Sequence, residues 1–338
     1  MRRRLVVAIV AGLAAPALAG QAPASGQARP AAPARPGGQP RAAAPAKLEL
    51  QPGLKRAKEE LTQGQIVEAA QLYRQLADQH QSVQALLGLA RIQSGVGDAR
   101  GALSVLERAR QLAPNSEEVL GAQARVALAA RSPVIATRAL EALARMVPSV
   151  MENQYLLGVA LMQAGDMPSG AMALEEARKL EPNRALTLVA LGFAYNGQKL
   201  YAEARPHLLR ALEIDGTDVE ALAALAESED GLGEPEAAEL HAKRALARDP
   251  NHAIANLVMG LVRMKQQRYE EAREALERAV KTDPTSAKAQ YQLSLACARL
   301  GDEAGQKEHL DLYTKAQKEN AERLRDLQGA AGTGRGGM

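Results

Sequence analysis

A chain of 338 residues with no Trp, one Phe and 2% aromatic content has no large aromatic core to build on. Its single cysteine, Cys297, allows neither an internal disulfide nor a cysteine-based metal site. The formal charge of +3 misleads: Arg2, Arg3, Arg4, Arg29, Arg35, Arg41 and Lys47 lie in residues 1–47 without an acid, leaving 35 basic and 39 acidic side chains, net −4, in residues 48–338. A slightly acidic body lacks the basic footprint that nucleic-acid binding needs.

Met1 to Ala19 reads as a secretory signal peptide: a basic start, an apolar run from Leu5 weakened by Gly12 and Pro16, and the small-residue ending Ala17-Leu18-Ala19. The run is too short for a retained membrane anchor. Cleavage is expected after Ala19, and no cysteine follows to take a lipid. Residues 20–47 are rich in Ala, Pro and Gly and poor in large apolar side chains. They are expected to be a disordered linker, either a plain spacer or a cationic segment touching anionic wall polymer or lipid headgroups.

From residue 48 to about 320 apolar residues recur at three- and four-residue steps, the period of a helix. The stretch Ala253 to Ser286 holds one complete unit, with Gly260, Ala272, Leu276, Ala279 and Pro284 in the order small, small, apolar, small, breaker. Breakers recur every 34 residues at Pro114, Pro148, Pro182, Gly216, Pro250 and Pro284. Units begin near residue 50, then at Val83, Glu117, Met151, Ala185, Val219, Ala253 and Ala287, eight in all. Turn signals such as Gly97-Asp98, Gly165-Asp166, Gly233 and Gly301-Asp302 split each unit into two runs of about 14 residues, which predicts a helical hairpin. Helices this short are marginal alone and must stack on neighbours. Small residues at the eighth slot (Ala90, Ala124, Gly158, Gly192, Ala226, Gly260) are expected to face those at the twentieth (Ala102, Ala136, Gly170, Ala204, Ala238, Ala272). Leu106, Leu140, Leu174, Leu208, Leu276 and Leu310 fill the space beyond. The last unit ends in a charged run, KAQKENAERLRDL, expected to be a solvating cap, and Gly329 to Met338 is expected to be a disordered tail, so residues 321–338 close the chain as helix end and tail.

This pattern closely resembles the tetratricopeptide repeat family. The resemblance rests on Leu191-Gly192, Tyr195, Ala204, Leu208 and Ala211 in one unit and on Gly260, Tyr269, Ala272, Leu276, Ala279 and Pro284 in another. It departs from the family at the fourth slot, where Leu86, Leu120, Leu188, Leu222 and Asn256 replace an aromatic, and at Gly216, which replaces Pro. The resemblance implies an all-α, right-handed superhelical solenoid of about eight hairpins whose first helices line a concave groove. In such proteins the second, fifth, ninth, twelfth and thirteenth slots are exposed there. On this sequence those slots supply Tyr155, Val159 and Met162, then Leu186, Val189 and Phe193. They continue with Glu220, Glu227 and Asp230, then Ile254, Leu257, Leu261 and Met264, and finally Tyr291, Leu295 and Arg299. An apolar groove crossed by an acidic band is therefore expected to hold a protein or peptide with apolar anchors. The slots could instead be buried by tight superhelical winding or by self-association.

The chain carries no phosphate-binding loop, nucleophile elbow or metalloprotease helix. Of its histidines, His207, His241 and His309 share one slot on the second helices with no completing ligand pattern. No enzyme activity, cofactor, metal or nucleic-acid partner is expected. The expected function is an exported binding scaffold, periplasmic or else extracellular. The alternatives are a self-associating structural component or an adaptor for wall polysaccharide or lipid through the cationic linker.

Overall fold

The computed structural model describes residues 48–332. The expected signal peptide, linker and last tail residues, 1–47 and 333–338, lie outside the described residues. Sixteen helices follow one another, with no strand among the described residues. The first four are α1 (Leu50–Thr62), α2 (Ile66–His80), α3 (Val83–Gly95) and α4 (Ala99–Leu112). The middle of the array holds α5 (Glu117–Ala129), α6 (Pro133–Met146), α7 (Met151–Ala164), α8 (Met167–Leu180), α9 (Ala185–Gly197) and α10 (Tyr201–Ile214). The last six are α11 (Val219–Leu232), α12 (Pro235–Leu246), α13 (Ala253–Lys265), α14 (Tyr269–Thr282), α15 (Ala287–Leu300) and α16 (Glu303–Gly332). Each odd-numbered helix packs on the even-numbered helix that follows, and each hairpin packs on the next, so the chain is a stack of eight hairpins.

Local chemistry sets the boundaries. Ser82, Asp98, Ser116, Asp166, Asp218, His252, Ser286 and Asp302 each accept the backbone N–H three residues on, satisfying a donor that a helix start leaves free. Within each hairpin the fifteenth slot turns through the left-handed region. Glycine fills it at Gly97, Gly165, Gly233 and Gly301, but Arg131, Lys199 and Gln267 adopt the same conformation with φ of 51°, 62° and 60°.

Small-residue packing holds each hairpin shut. A Cβ on Gly158 would lie 2.5 Å from Leu174 Cγ and 3.0 Å from the Gly170 carbonyl oxygen, and one on Gly192 would lie 2.3 Å from Leu208 Cδ2. Leu106, Leu140, Leu174, Leu208 and Leu276 are fully buried beyond these contacts, as expected. Leu310, in the last hairpin of the described residues, is not: it is 42% exposed.

Two features depart from the sequence expectation. Residues 329–332, expected within the disordered tail, continue α16. The same helix is more than a solvating cap, since it also packs against α6 and α7, half the array away. Its far half, with Ala316, Glu319, Asn320, Glu322 and Asp326, borders a cavity of about 370 Å³ shared with Arg131 and Thr285.

Candidate functional site

The odd-numbered helices form the inner layer, and they do not line it evenly. From α9 to α13 they pack directly on one another. Small side chains make this possible: Ala221, Ala223, Ala224 and Ala226 of α11 and Ala190 and Ala194 of α9 are all buried, so neighbouring backbones approach from both sides. A buried polar clasp joins the same helices. Asn196 Nδ2 donates to the Ala224 carbonyl at 2.8 Å, and Ser228 Oγ lies 2.7 Å from Asn196 Oδ1.

This winding corrects the groove read from the sequence. Tyr155, Val159, Met162, Val189, Phe193, Leu257 and Leu261 were expected at the surface and are buried, Tyr155 and Val159 to 1% exposure and Phe193 to 8%. Tyr155, Val159, Met162, Val189 and Phe193 belong to one hydrophobic core with Leu188 and Leu191, whereas Leu257 and Leu261 pack with Leu276 and Leu293. Burial pushes the Tyr155 hydroxyl far above its ordinary pKa, and the Arg184 guanidinium lies 5.4 Å from the ring centroid. Leu186, Ile254, Met264 and Leu295 remain half-buried. Tyr291 and Arg299 are exposed, though Tyr291 leans on Tyr313 of α16 at 5.2 Å and Arg299 sits over the Tyr269 ring at 6.0 Å.

The acidic band is present but internally matched. Glu227 pairs with Lys288 at 2.8 Å, a contact from α11 to α15 that skips a whole unit, and Asp230 pairs with Lys265 at 2.6 Å. Glu220 Oε2 faces the Nε2 of buried His252 at 3.2 Å without completing a well-aligned hydrogen bond. No member of the band is left to demand a basic partner.

A cavity opens in the inner layer at the other end of the array. It lies between α3 and α5, has a volume of about 220 Å³ and is lined by Leu87, Ala90, Arg91, Ser94, Leu106, Glu118, Ala122, Arg125 and Val126. Leu87, Arg91 and Ser94 occupy the fifth, ninth and twelfth slots of the Val83 unit, and Glu118 and Arg125 the second and ninth of the Glu117 unit. Gly121 leaves room for the Arg125 guanidinium, which a Cβ there would meet at 3.3 Å. The sequence reading missed these residues although the same slot rule, applied to the earlier units, finds them.

The second helices hold the histidines apart. His207 stacks on Tyr195 with ring centroids 5.7 Å apart, and burial holds its pKa below the ordinary imidazole value. His241 Nδ1 meets Glu229 at 2.7 Å and His309 Nδ1 meets Gln290 Oε1 at 2.8 Å. In the next unit the position of Glu229 is taken by Arg263, which grips Glu239 with two N–H donors at 2.9 and 3.1 Å. Those bonds, with Lys243, lower the Glu239 carboxyl to a pKa of about 2. These are pairs that tie one helix to another, and among the described residues no group of three or more His, Cys, Asp or Glu side chains could hold a metal. No helix among them is long and apolar enough to cross a membrane.

Comparison with known proteins agrees with this architecture. No curated protein matches the chain in sequence. Among solved structures, a tetratricopeptide repeat protein from Parabacteroides merdae superposes with a TM-score of 0.58 at 14% identity, covering 73% of this chain and 98% of its own. The C-terminal part of a repeat-containing protein from Cytophaga hutchinsonii gives 0.51 at 15% identity, covering 71% of this chain and 99% of its own. A chain of the Cut9-Hcn1 hetero-tetramer of the APC/C gives 0.55 at 14% identity, covering 81% of this chain and 55% of its own. At these identities the likeness is one of fold. Two sequence models described as tetratricopeptide repeat match the chain, one at residues 60–126 and the other at 122–185, 223–287 and 257–321. With eight stacked hairpins, their small-residue contacts and these matches, the chain belongs to the tetratricopeptide repeat family.

Proposed function

We propose that this protein is an exported, non-enzymatic scaffold of the cell envelope, residing in the periplasm, that binds a protein partner along its inner face. Proteins of this fold generally serve as protein-interaction scaffolds, and the basic, apolar and small-residue order of residues 1–19 supports export. The observation that carries the reading is the cavity between α3 and α5. There the inner-face slots combine an apolar floor with accessible polar side chains, the usual make-up of a binding site. The engaged surface is therefore the second and third units, and the middle apolar slots act as core. Self-association through the groove had rested on exposed apolar slots, seven of which (Tyr155, Val159, Met162, Val189, Phe193, Leu257 and Leu261) the monomer itself covers.

The test is affinity capture from the envelope fraction of the native organism. The bait is the chain from Gly20 onward, compared with a Ser94→Trp/Ala122→Trp variant that fills the cavity and is checked for unchanged helical content. A partner retained by the native chain and lost by the variant is expected. Equal retention by both would move the binding surface elsewhere.

A further inference from the structure

The open end of the inner face has a charge character that the rest of the groove lacks. At the ninth slot of the first three units stand Lys58, Arg91 and Arg125, each following a buried small residue, Ala57, Ala90 or Ala124, that fixes the register. All three are exposed, and none makes an ion pair among the described residues. At the same slot the later units carry buried Val159, Phe193 and Leu261, half-buried Leu295, and Glu227, which is already paired with Lys288. The first three units thus present a row of three uncommitted cations, one per hairpin, of which Arg91 and Arg125 line the cavity with its apolar floor. The one acid on the cavity wall, Glu118, makes no ion pair with Arg91 or Arg125 among the described residues, and a single carboxylate against three cations leaves the row net positive.

We propose that Lys58, Arg91 and Arg125 form the recognition row for an acidic segment of the partner, one that places an apolar side chain in the cavity and carboxylates along the row. This rests on the scaffold reading and names the partner's chemistry. Arg91 and Arg125 are spaced by one repeat, on the order of one helix diameter, about 10 Å. An extended strand covers that distance in about three residues. Acidic side chains within the segment match this row, so a free chain end is not needed. Exposed cations of this kind steer and select more than they tighten, so the effect should be selective for charge and weakened by salt.

The probe is a displayed library of random dodecamer peptides whose C termini are blocked by fusion to the coat protein, selected on the full chain from Gly20 onward. Selected peptides, remade and labelled, are then titrated by fluorescence anisotropy. Enrichment of Asp or Glu flanking a large apolar residue is expected. Affinity should fall about tenfold or more in Arg91→Glu/Arg125→Glu, be largely kept in Arg91→Lys/Arg125→Lys, and be restored to the glutamate variant when the peptide acids are changed to lysine. Both positions are exposed, so both variants should melt as the parent does. Enriched peptides without acidic residues, still lost on filling the cavity with Ser94→Trp/Ala122→Trp, would overturn the charge proposal and leave the scaffold reading standing. Failure to select any peptide overturns both.

Discussion

At the scale of single residues, the repeat tolerates side chains where the backbone prefers none. Lys199 takes the left-handed conformation that Gly165 and Gly233 take in the neighbouring hairpins. Such a conformation costs an L-residue about 1–2 kcal/mol, part of which glycine returns through the greater freedom of its unfolded chain. Lys199→Gly is expected to stabilise the protein by about 0.5–1 kcal/mol and raise the melting temperature by about 1–3 °C. A lowered melting temperature would mean that Lys199 contributes contacts outweighing its backbone strain. The Arg263–Glu239 pair has a different signature. The folded carboxyl titrates at about 2, below the ordinary value of 4.5. Its stabilisation is therefore complete above the ordinary carboxylate range and lost as pH falls from there toward about 2. Arg263→Ala should cost about 1–3 kcal/mol at neutral pH and flatten the acid side of the stability profile, as read by urea titrations at several pH values. An unchanged acid limb would show that the pair is not coupled to folding.

At the scale of elements, the contact between the helices of one hairpin decides whether it closes. Ala204 is fully buried opposite Gly192, and Leu208 fills the space beside that glycine. Ala204→Leu is expected to overpack this seam and cost about 1–3 kcal/mol, seen as a lower denaturation midpoint at unchanged helical content. Indifference to the change would place Ala204 outside the seam. This much was legible in the sequence, because a 34-residue period fixes which residue meets which within a hairpin. The exposure of the inner slots was not legible. Slot rules state which way a side chain points, while burial depends on how tightly successive inner helices wind, and that is set jointly by Ala221, Ala224, Ala190 and Ala194 on separate helices. For the same reason Val159 and Phe193 read as surface anchors and are core. Arg91 and Arg125 could have been found by applying the rule to the first units as well, and the pairing of Glu227 with Lys288, 61 residues on, had no local signal at all. The reach of α16 to α6 and α7 likewise depends on the curvature of the whole array.

At the scale of the whole molecule, the inner face is divided. From α9 to α13 it is closed by helix-on-helix packing and matched charges, and between α3 and α5 it is open, apolar at the floor and basic along one edge. Binding should follow that division. The measurement that tests it most directly is site-specific photocrosslinking in the native organism, with a photoreactive amino acid placed at Ala122 in the open end or at Met264 in the closed end. The account expects a partner adduct at Ala122 that disappears in the Arg91→Glu/Arg125→Glu background, and none at Met264. Adducts at Met264 with none at Ala122 would contradict it and return the binding surface to the later units.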